Sequence, residues 1–340
     1  MSLIALCERG LVPDHLTRFG IRRLCKQRLK DEYQGDWKTK QGNRVLELKK
    51  SAIAIETQAA NDQHYEVPPP FFQACLGKRL KYSSCYYPTA SSTLDQAEVA
   101  MLELYGERAE LSDGTDILEL GCGWGSLTLW MAERYPNSRI TAVSNSAPQR
   151  EFIEAKCRAL GFANVRVITC DVNKLELPSG TFDRAISIEM FEHIRNYETL
   201  LARIATWLKP NGKLFVHIFC HREVAYPFET DGDANWMGRY FFTGGLMPAF
   251  DTFRHFNNDL SVQTDWRVNG THYQRTSNHW LENTDAKRHE IFAVFKQTYG
   301  PEQSQIWFQR WRIFFMACAE LFGYREGNEW LVGHYLFAKN

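Results

Sequence analysis

An α/β fold with a largely parallel sheet is predicted by three features of the sequence. Five short apolar runs, at residues 117–120, 139–143, 165–169, 184–188 and 213–219, alternate with helical stretches of crossover length. The first run ends in a glycine-rich turn, Gly121-Cys122-Gly123-Trp124-Gly125, that leads into a helix at about 126–135. After His221 the alternation stops, and an aromatic-rich stretch follows that reads as mainly helical over 222–257 and 273–330. Residues 260–268 and 333–338 read as antiparallel strands that complete the sheet. Right-handed crossovers put the ligand crevice at the carboxyl ends of the parallel strands, so the residues just past each strand matter most.

Taken from the start of the chain, residues 11–33 form a basic helix. Leu16, Phe19, Leu24 and Leu29 recur at roughly helical spacing among Arg18, Arg22, Arg23, Lys26, Arg28 and Lys30. A packed surface helix with solvated charges is the expectation, and contact with an anionic membrane is the lesser one. Residues 46–60 read as a second helix, and Pro68-Pro69-Pro70 interrupts regular structure. A polar aromatic loop, Lys81-Tyr82-Ser83-Ser84-Cys85-Tyr86-Tyr87-Pro88, comes next. Thr93 and Gln96 make a capping box for a helix over 94–111, and Lys209-Pro210-Asn211-Gly212 is a turn before the fifth strand. Three segments result: helices over 1–95, a cofactor-binding core over 96–221, and a cap with the last two strands over 222–340.

The 340 residues are 44% apolar, enough for a sizeable core. Forty basic and forty acidic residues leave no net charge, which argues against nucleic acid as a partner. No apolar run reaches membrane-spanning length, and Glu8 and Arg9 break the N-terminal apolar stretch at once. Nine scattered cysteines without a C-x-x-C pair suggest reduced thiols and a cytoplasmic protein.

The glycine turn departs from the dinucleotide pattern in two ways. Its third glycine comes one residue early, and the second strand ends at Ser144-Asn145, where an acid would be due. Glu119, Asn145 and Asp171 stand at three consecutive strand ends. They suit a nucleoside bearing an amino acid, which points to S-adenosylmethionine. A turn cap at Asp171 and an Asx turn at Asn145 are the purely structural alternatives.

Beyond the fourth strand stand Glu189, Glu192 and His193. An alkylamine of pKa ~10.4 is protonated at neutral pH, and freeing its lone pair costs about 4–5 kcal/mol. Carboxylates beside an imidazole attract the ammonium and accept its proton. In a helical turn the two carboxylates share a face, and their repulsion makes one of them a better base. An acidic helix N-terminus is the alternative. His217 and His221 lie four apart without a third ligand, so no metal site is expected. Trp307, Trp311, Phe314 and Phe315 fall at helical spacing, as core or as pocket wall.

The glycine turn, Ser144-Asn145-Ser146 with Gln149, and Glu189-Met190-Phe191-Glu192-His193 resemble the cyclopropane-fatty-acid-synthase-like methyltransferases. Phe219-Cys220-His221, the motifs from Arg239 to Pro248, Asn269 to Tyr273, and Ala319 to Tyr324 extend the likeness. It runs over nearly the whole chain from about Tyr65, with particular likeness to plant coclaurine, pavine and tetrahydroprotoberberine N-methyltransferases. The resemblance implies a class I (Rossmann-like) methyltransferase sheet with N-terminal helices and an inserted helical cap. It implies that Tyr82 and Ser83 hold the methionine end of S-adenosylmethionine, that Glu119, Gly121, Gly123 and Ile188 line the cofactor, that Asn145 and Gln149 take the ribose, and that Asp171 and Val172 frame the adenine. Glu189, Glu192 and His193 become the catalytic group, with His217, Phe219, Tyr273, Trp311, Phe314 and Phe315 toward a small-molecule amine. A homodimer is left open.

Lipid-directed cyclopropane synthases of this superfamily hold a bicarbonate base with a Cys, a Glu, a His, an Ile backbone position and a Tyr. Glu192, His217 and Tyr273 match that set; Ser84 replaces the Cys, Phe219 the Ile, and Glu189 a usual Gly. An added carboxylate repels bicarbonate and attracts an ammonium, which favours an amine over a phospholipid acyl chain.

Overall fold

A computed structural model describes residues 2–55 and 67–340. Three helices open the chain: α1 (Leu3–Glu8), α2 (Asp14–Glu32) and α3 (Trp37–Lys50). Then come α4 (Pro69–Cys75) and α5 (Leu94–Arg108), and the alternation β1 (Asp116–Leu120), α6 (Ser126–Arg134), β2 (Arg139–Ser144), α7 (Ala147–Leu160), β3 (Val165–Thr169), β4 (Phe182–Ile188), α8 (Tyr197–Trp207) and β5 (Leu208–His221). A ribbon of β6 (Tyr226–Pro227) and β7 (Leu246–Met247) flanks α9 (Trp236–Tyr240). The chain closes with β8 (Leu260–Val268), α10 (Thr271–Ala286), α11 (Arg288–Tyr299), α12 (Pro301–Phe322) and β9 (Trp330–Lys339).

The main sheet has the order β3-β2-β1-β4-β5-β9-β8. β3, β2, β1, β4 and β5 are parallel, while β9 and β8 join antiparallel, as expected from the sequence. Strand order reverses beside β1, whose partners are β2 and β4, so the crevice of a doubly wound sheet opens at the carboxyl end of β1. Ile117, Leu118 and Leu120 are buried within β1, which is why this strand reads as a near-continuous apolar run.

The expected capping box at Thr93 and Gln96 is present, with Thr93 Oγ1 accepting from the Gln96 amide and Gln96 Oε1 from the Thr93 amide. α5 ends at Arg108, short of residue 111, because Glu110 takes a left-handed backbone at φ 52°. The second helix begins nine residues before position 46, at Trp37, where Asp36 caps the Thr39 amide. It ends at Lys50, and residues 56–60 of the expected helix lie outside the described residues. The three prolines open a helix: Pro68 is the N-cap of α4, and Pro69 and Pro70 occupy its first turn, where a missing N–H costs nothing.

Two expectations need correction. Residues 222–257 are mostly irregular, with the short α9, the ribbon and two 3-10 turns in place of long helices. Gly232, Gly238, Gly244 and Gly245 interrupt the apolar pattern there, and an added Cβ at Gly238 would meet the Glu229 carbonyl oxygen at 2.1 Å. The Lys209–Gly212 turn lies inside β5 as an outward excursion, since Leu208 pairs with Phe182 and Lys213 with Arg184.

On α2, Cys25 and Leu29 are buried, whereas Leu16, Phe19 and Leu24 are exposed. Charge pairing orients this helix: Arg18 and Arg22 both reach Glu320 of α12, and Arg28, Lys40 and Arg44 converge on buried Glu32. No described helix is long and apolar enough to cross a membrane.

Candidate active site

The three glycines of the turn do different work. All have positive φ, 80° at Gly121, 50° at Gly123 and 79° at Gly125, a backbone that side chains with a Cβ rarely adopt. A Cβ on Gly121 would meet Met190 Cβ at 2.7 Å, and one on Gly125 would meet Ile153 Cγ1 at 2.7 Å, so these two permit close packing. Gly123 differs, because nothing lies within 4 Å of the position its Cβ would take. Its bare backbone faces a cavity of about 1480 Å³ of empty space, part of it open to solvent.

That cavity sits at the carboxyl ends of β1 to β4 and gathers most of the residues expected from the sequence. Glu119, Gly121, Gly123, Asn145, Gln149, Asp171, Val172 and Ile188 line it from the sheet side, and Tyr82 and Ser83 from the loop before α5. Buried Glu119 accepts from Thr128 Oγ1 at 2.5 Å, and desolvation pushes its carboxyl up to about 8. Gln149 accepts from Ser144 Oγ at 2.6 Å. Asp171 also caps the following turn, the structural alternative weighed for it, accepting from the amide and the side chain of Asn173, and still reaches the cavity wall.

The acidic group stands opposite the glycine turn. Glu189 follows β4 directly with φ 46°, a left-handed backbone in a residue other than glycine. Its Oε1 accepts from the Ser84 amide at 3.0 Å and meets His217 Nε2 at 3.0 Å, and its Oε2 accepts from Tyr273 Oη at 2.7 Å. Glu192 lies in a 3-10 turn over Phe191–His193. The two carboxylates therefore do not share one helical turn as expected; the positive φ at Glu189 takes the chain out of helix, yet both line the same cavity. Oε2 of buried Glu192 has no hydrogen-bond partner among the described residues. Burial raises both carboxyls, and Glu192 is driven further up by the charge of Glu189. The His193 ring also lines the cavity and stacks on Phe242 at 6.0 Å.

Tyr273 and Phe314 reach the cavity, but four other residues expected toward the substrate do not line it. His217 lies fully buried behind Glu189, and Phe219 packs against Phe228, Phe242 and Phe322. Trp311 and Phe315 are core: Trp311 touches Phe71, Phe241 and Phe314. Helical spacing puts Phe314 one position round from Phe315, so the stripe divides between wall and core. His221 meets Glu329 at 3.2 Å and is separate from the cavity.

Several wall residues carried no sequence signal of their own. Lys81 is buried, donates to Ser83 Oγ at 2.5 Å and to the Ser84 carbonyl at 2.6 Å, and has its pKa lowered by desolvation. Tyr105, Met190, Phe242 and Trp280 complete the aromatic and apolar walls.

The pocket suits a sulfonium nucleoside. The Gly123 backbone is bare toward the cavity, carboxylates face it from two sides, and the unpartnered Glu192 oxygen awaits a donor or a cation. A model of the mycolic acid cyclopropane synthetase family matches residues 54–330. A coclaurine N-methyltransferase of Thalictrum flavum subsp. glaucum is 40% identical over 100% of this chain and 96% of its own length. The crystal structure of a coclaurine N-methyltransferase bound to N-methylheliamine and SAH superposes with a TM-score of 0.95, at 38% identity over 99% of both chains. The cyclopropane-fatty-acyl-phospholipid synthase of Escherichia coli (strain K12) is 29% identical over 79% of this chain and 66% of its own. Family match, sheet order and cavity chemistry agree: this chain belongs to the mycolic acid cyclopropane synthetase family and is an S-adenosylmethionine-dependent methyltransferase of class I fold.

Proposed function

We propose that the protein is an N-methyltransferase acting on a small aromatic or alkyl amine of benzylisoquinoline or phenethylamine type. One observation carries the choice of an amine over a lipid. The Glu189 carboxylate occupies the donors of Ser84, His217 and Tyr273, the positions that match the bicarbonate ligands of lipid-directed relatives. With a tethered anion already seated there, a dissolved one is excluded by charge and by space. The relatives named as coclaurine N-methyltransferases support the same reading.

In this reading Tyr82 and Ser83 hold the methionine end of the cofactor, Asn145 and Gln149 its ribose, and Asp171 and Val172 its adenine. Glu119, Gly121, Gly123 and Ile188 line it. The bound cofactor supplies an electrophilic methyl group on a sulfonium. Glu189, whose upward shift by burial is opposed by Lys81, the Ser84 amide and the Tyr273 hydroxyl, attracts the substrate ammonium. Glu192 accepts that proton: its carboxyl is raised by burial and by Glu189, and one oxygen is unengaged. The amine then carries a free lone pair, held in line by Tyr273, Phe314 and Phe242, whose aromatic faces also suit the cationic product. His193, stacked on Phe242, lies where it orients the nitrogen.

Incubation of the protein with methyl-labelled cofactor against a panel of amines and phospholipid vesicles tests the proposal. Label is expected in an N-methylated amine. Label in acyl chains, dependent on added bicarbonate, would replace the amine reading with the lipid one.

A further inference from the structure

A line of hydrogen bonds runs from Glu189 into the protein, away from the cavity. His217 Nε2 meets Glu189 Oε1 at 3.0 Å, His217 Nδ1 meets His334 Nε2 at 2.8 Å, and His334 Nδ1 meets an Arg108 Nη1 at 2.7 Å. The histidines sit on neighbouring antiparallel strands as direct cross-strand partners, and both are fully buried. Arg108 closes α5 one turn after Tyr105, whose hydroxyl also reaches His217 Nδ1 at 2.9 Å.

A guanidinium can donate hydrogen bonds and cannot accept them. His334 Nδ1 must therefore be bare, which puts the His334 proton on Nε2. That proton points at His217 Nδ1, which must also be bare, and the His217 proton falls on Nε2, facing the carboxylate. We propose that Arg108, acting through His334, fixes His217 as the Nε2–H tautomer and so commits it to donating to Glu189. The three are positioning residues, and the functional part of this proposal rests on the role given to Glu189 above.

The electrostatics agree with the geometry. Desolvation, with the positive charges of Lys81 and Arg108, holds the His217 imidazole well below its ordinary pKa; His334 is likewise held down by burial, His217 and Arg108. Glu189 is faced by Lys81, Tyr273, the Ser84 amide and Glu192, and none of these reverses the line. Passing a proton inward would leave His334 Nδ1–H against the Arg108 donor. The line is therefore closed to protons, and a proton taken from substrate leaves by the cavity side.

Side-chain 15N NMR of the histidines in the whole enzyme tests the tautomers without substrate. Wild-type His217 and His334 are expected as neutral Nε2–H forms at neutral pH. Arg108→Met should give His334 a mixed or protonated signal and lower kcat roughly 10- to 100-fold, the size typical when a group orienting a first ligand is lost. KM for the cofactor should stay unchanged, and Arg108→Lys, which keeps a cationic donor, should recover both signal and kcat. An Nδ1–H or doubly protonated His217 in the wild type would overturn the proposal, whatever the variants do. Unchanged tautomers in Arg108→Met would do the same, and altered tautomers at wild-type kcat would sever the link to Glu189. If no amine is methylated by the wild type, the functional reading falls while the tautomer result stands on its own.

Discussion

Replacing Glu189 by glycine separates chemistry from folding unusually well, because the two respond in opposite directions. Glu189 adopts φ 46°, and a left-handed backbone costs a residue with a Cβ on the order of 1–3 kcal/mol, which glycine avoids. Against that gain, the Ser84 amide, His217 Nε2–H and the Tyr273 hydroxyl lose their acceptor. Tyr273 lines the cavity, and Ser84 and His217, buried behind Glu189, open to it once the carboxylate is gone, so the loss is about 0.5–1.5 kcal/mol for each bond. The two contributions nearly cancel, and Tm is expected to move by no more than about 4 °C.

Turnover has no such compensation. Removing one member of a buried charge pair costs about 3–5 kcal/mol, so kcat/KM for the amine should fall roughly 10²- to 10⁴-fold. Cofactor affinity, measured by calorimetry, should stay near wild type, since the proposal sets Glu189 toward the amine and not the cofactor. The vacated donors should then accept formate or bicarbonate from solution and recover part of the rate. A Glu189→Gly enzyme with near wild-type kcat/KM would remove Glu189 from the mechanism. A crippled enzyme that no small anion rescues would show that the three donors do not form an anion site.

Asp171→Ala should weaken cofactor binding roughly 10- to 100-fold through the loss of a charged hydrogen bond, read by calorimetry; an unchanged Kd would undo its assignment to the adenine. Gly123→Ala places a methyl group in the open cradle on a backbone at φ 50°, so it should impair cofactor binding with a modest loss of Tm from backbone strain, whereas Gly125→Ala adds to the same strain a Cβ 2.7 Å from Ile153 and should destabilise the fold more. Equal Tm losses in the two variants would contradict that division. His221 titrates in the fold near pH 4 instead of 6.5, mainly through burial, so its neutral form is the folded one. As pH falls from 6.5 toward 4 the unfolded chain binds a proton that the fold refuses, which removes up to about 3 kcal/mol of stability. Thermal melts across that range should show the loss in the wild type and a shallower slope in His221→Gln.

The stretch from Asp116 to Gly125 was legible because its signal is local: an apolar strand, then glycines whose backbone needs are written in residue type. The same holds for the Thr93 capping box and for the strand-end residues Asn145 and Asp171, which the alternation of strands and helices brings to one edge. The aromatic stripe was less so, since spacing of three and four cannot say which face of α12 meets core and which meets cavity; Trp311 went to the first and Phe314 to the second. Residues 222–257 misled for a related reason, as aromatic content signals burial but not helix, and the glycines there decide the path. Arg108 and His334 were beyond reach. They are 226 positions apart and meet only because β9 returns antiparallel beside β5, a pairing that no local pattern encodes.

Glu189 now ties these levels together. Its backbone has the shape of a glycine position, and its side chain fills a set of donors that could otherwise hold a dissolved anion. Placing the anion on the chain gives it a high effective concentration at one point, at a cost in backbone strain. It also fixes one negative charge where a free bicarbonate could leave after taking a proton. A catalyst for lipid alkenes needs a base that exchanges with solvent, whereas a catalyst for ammonium substrates gains from a charge that stays while a neighbour, Glu192 in the proposed reading, takes the proton. On the proposed reading, a carboxylate at a left-handed position, supported from behind by His217, His334 and Arg108, joins the changes at Ser84 and Phe219 in turning the site from a dissolved anion toward an ammonium.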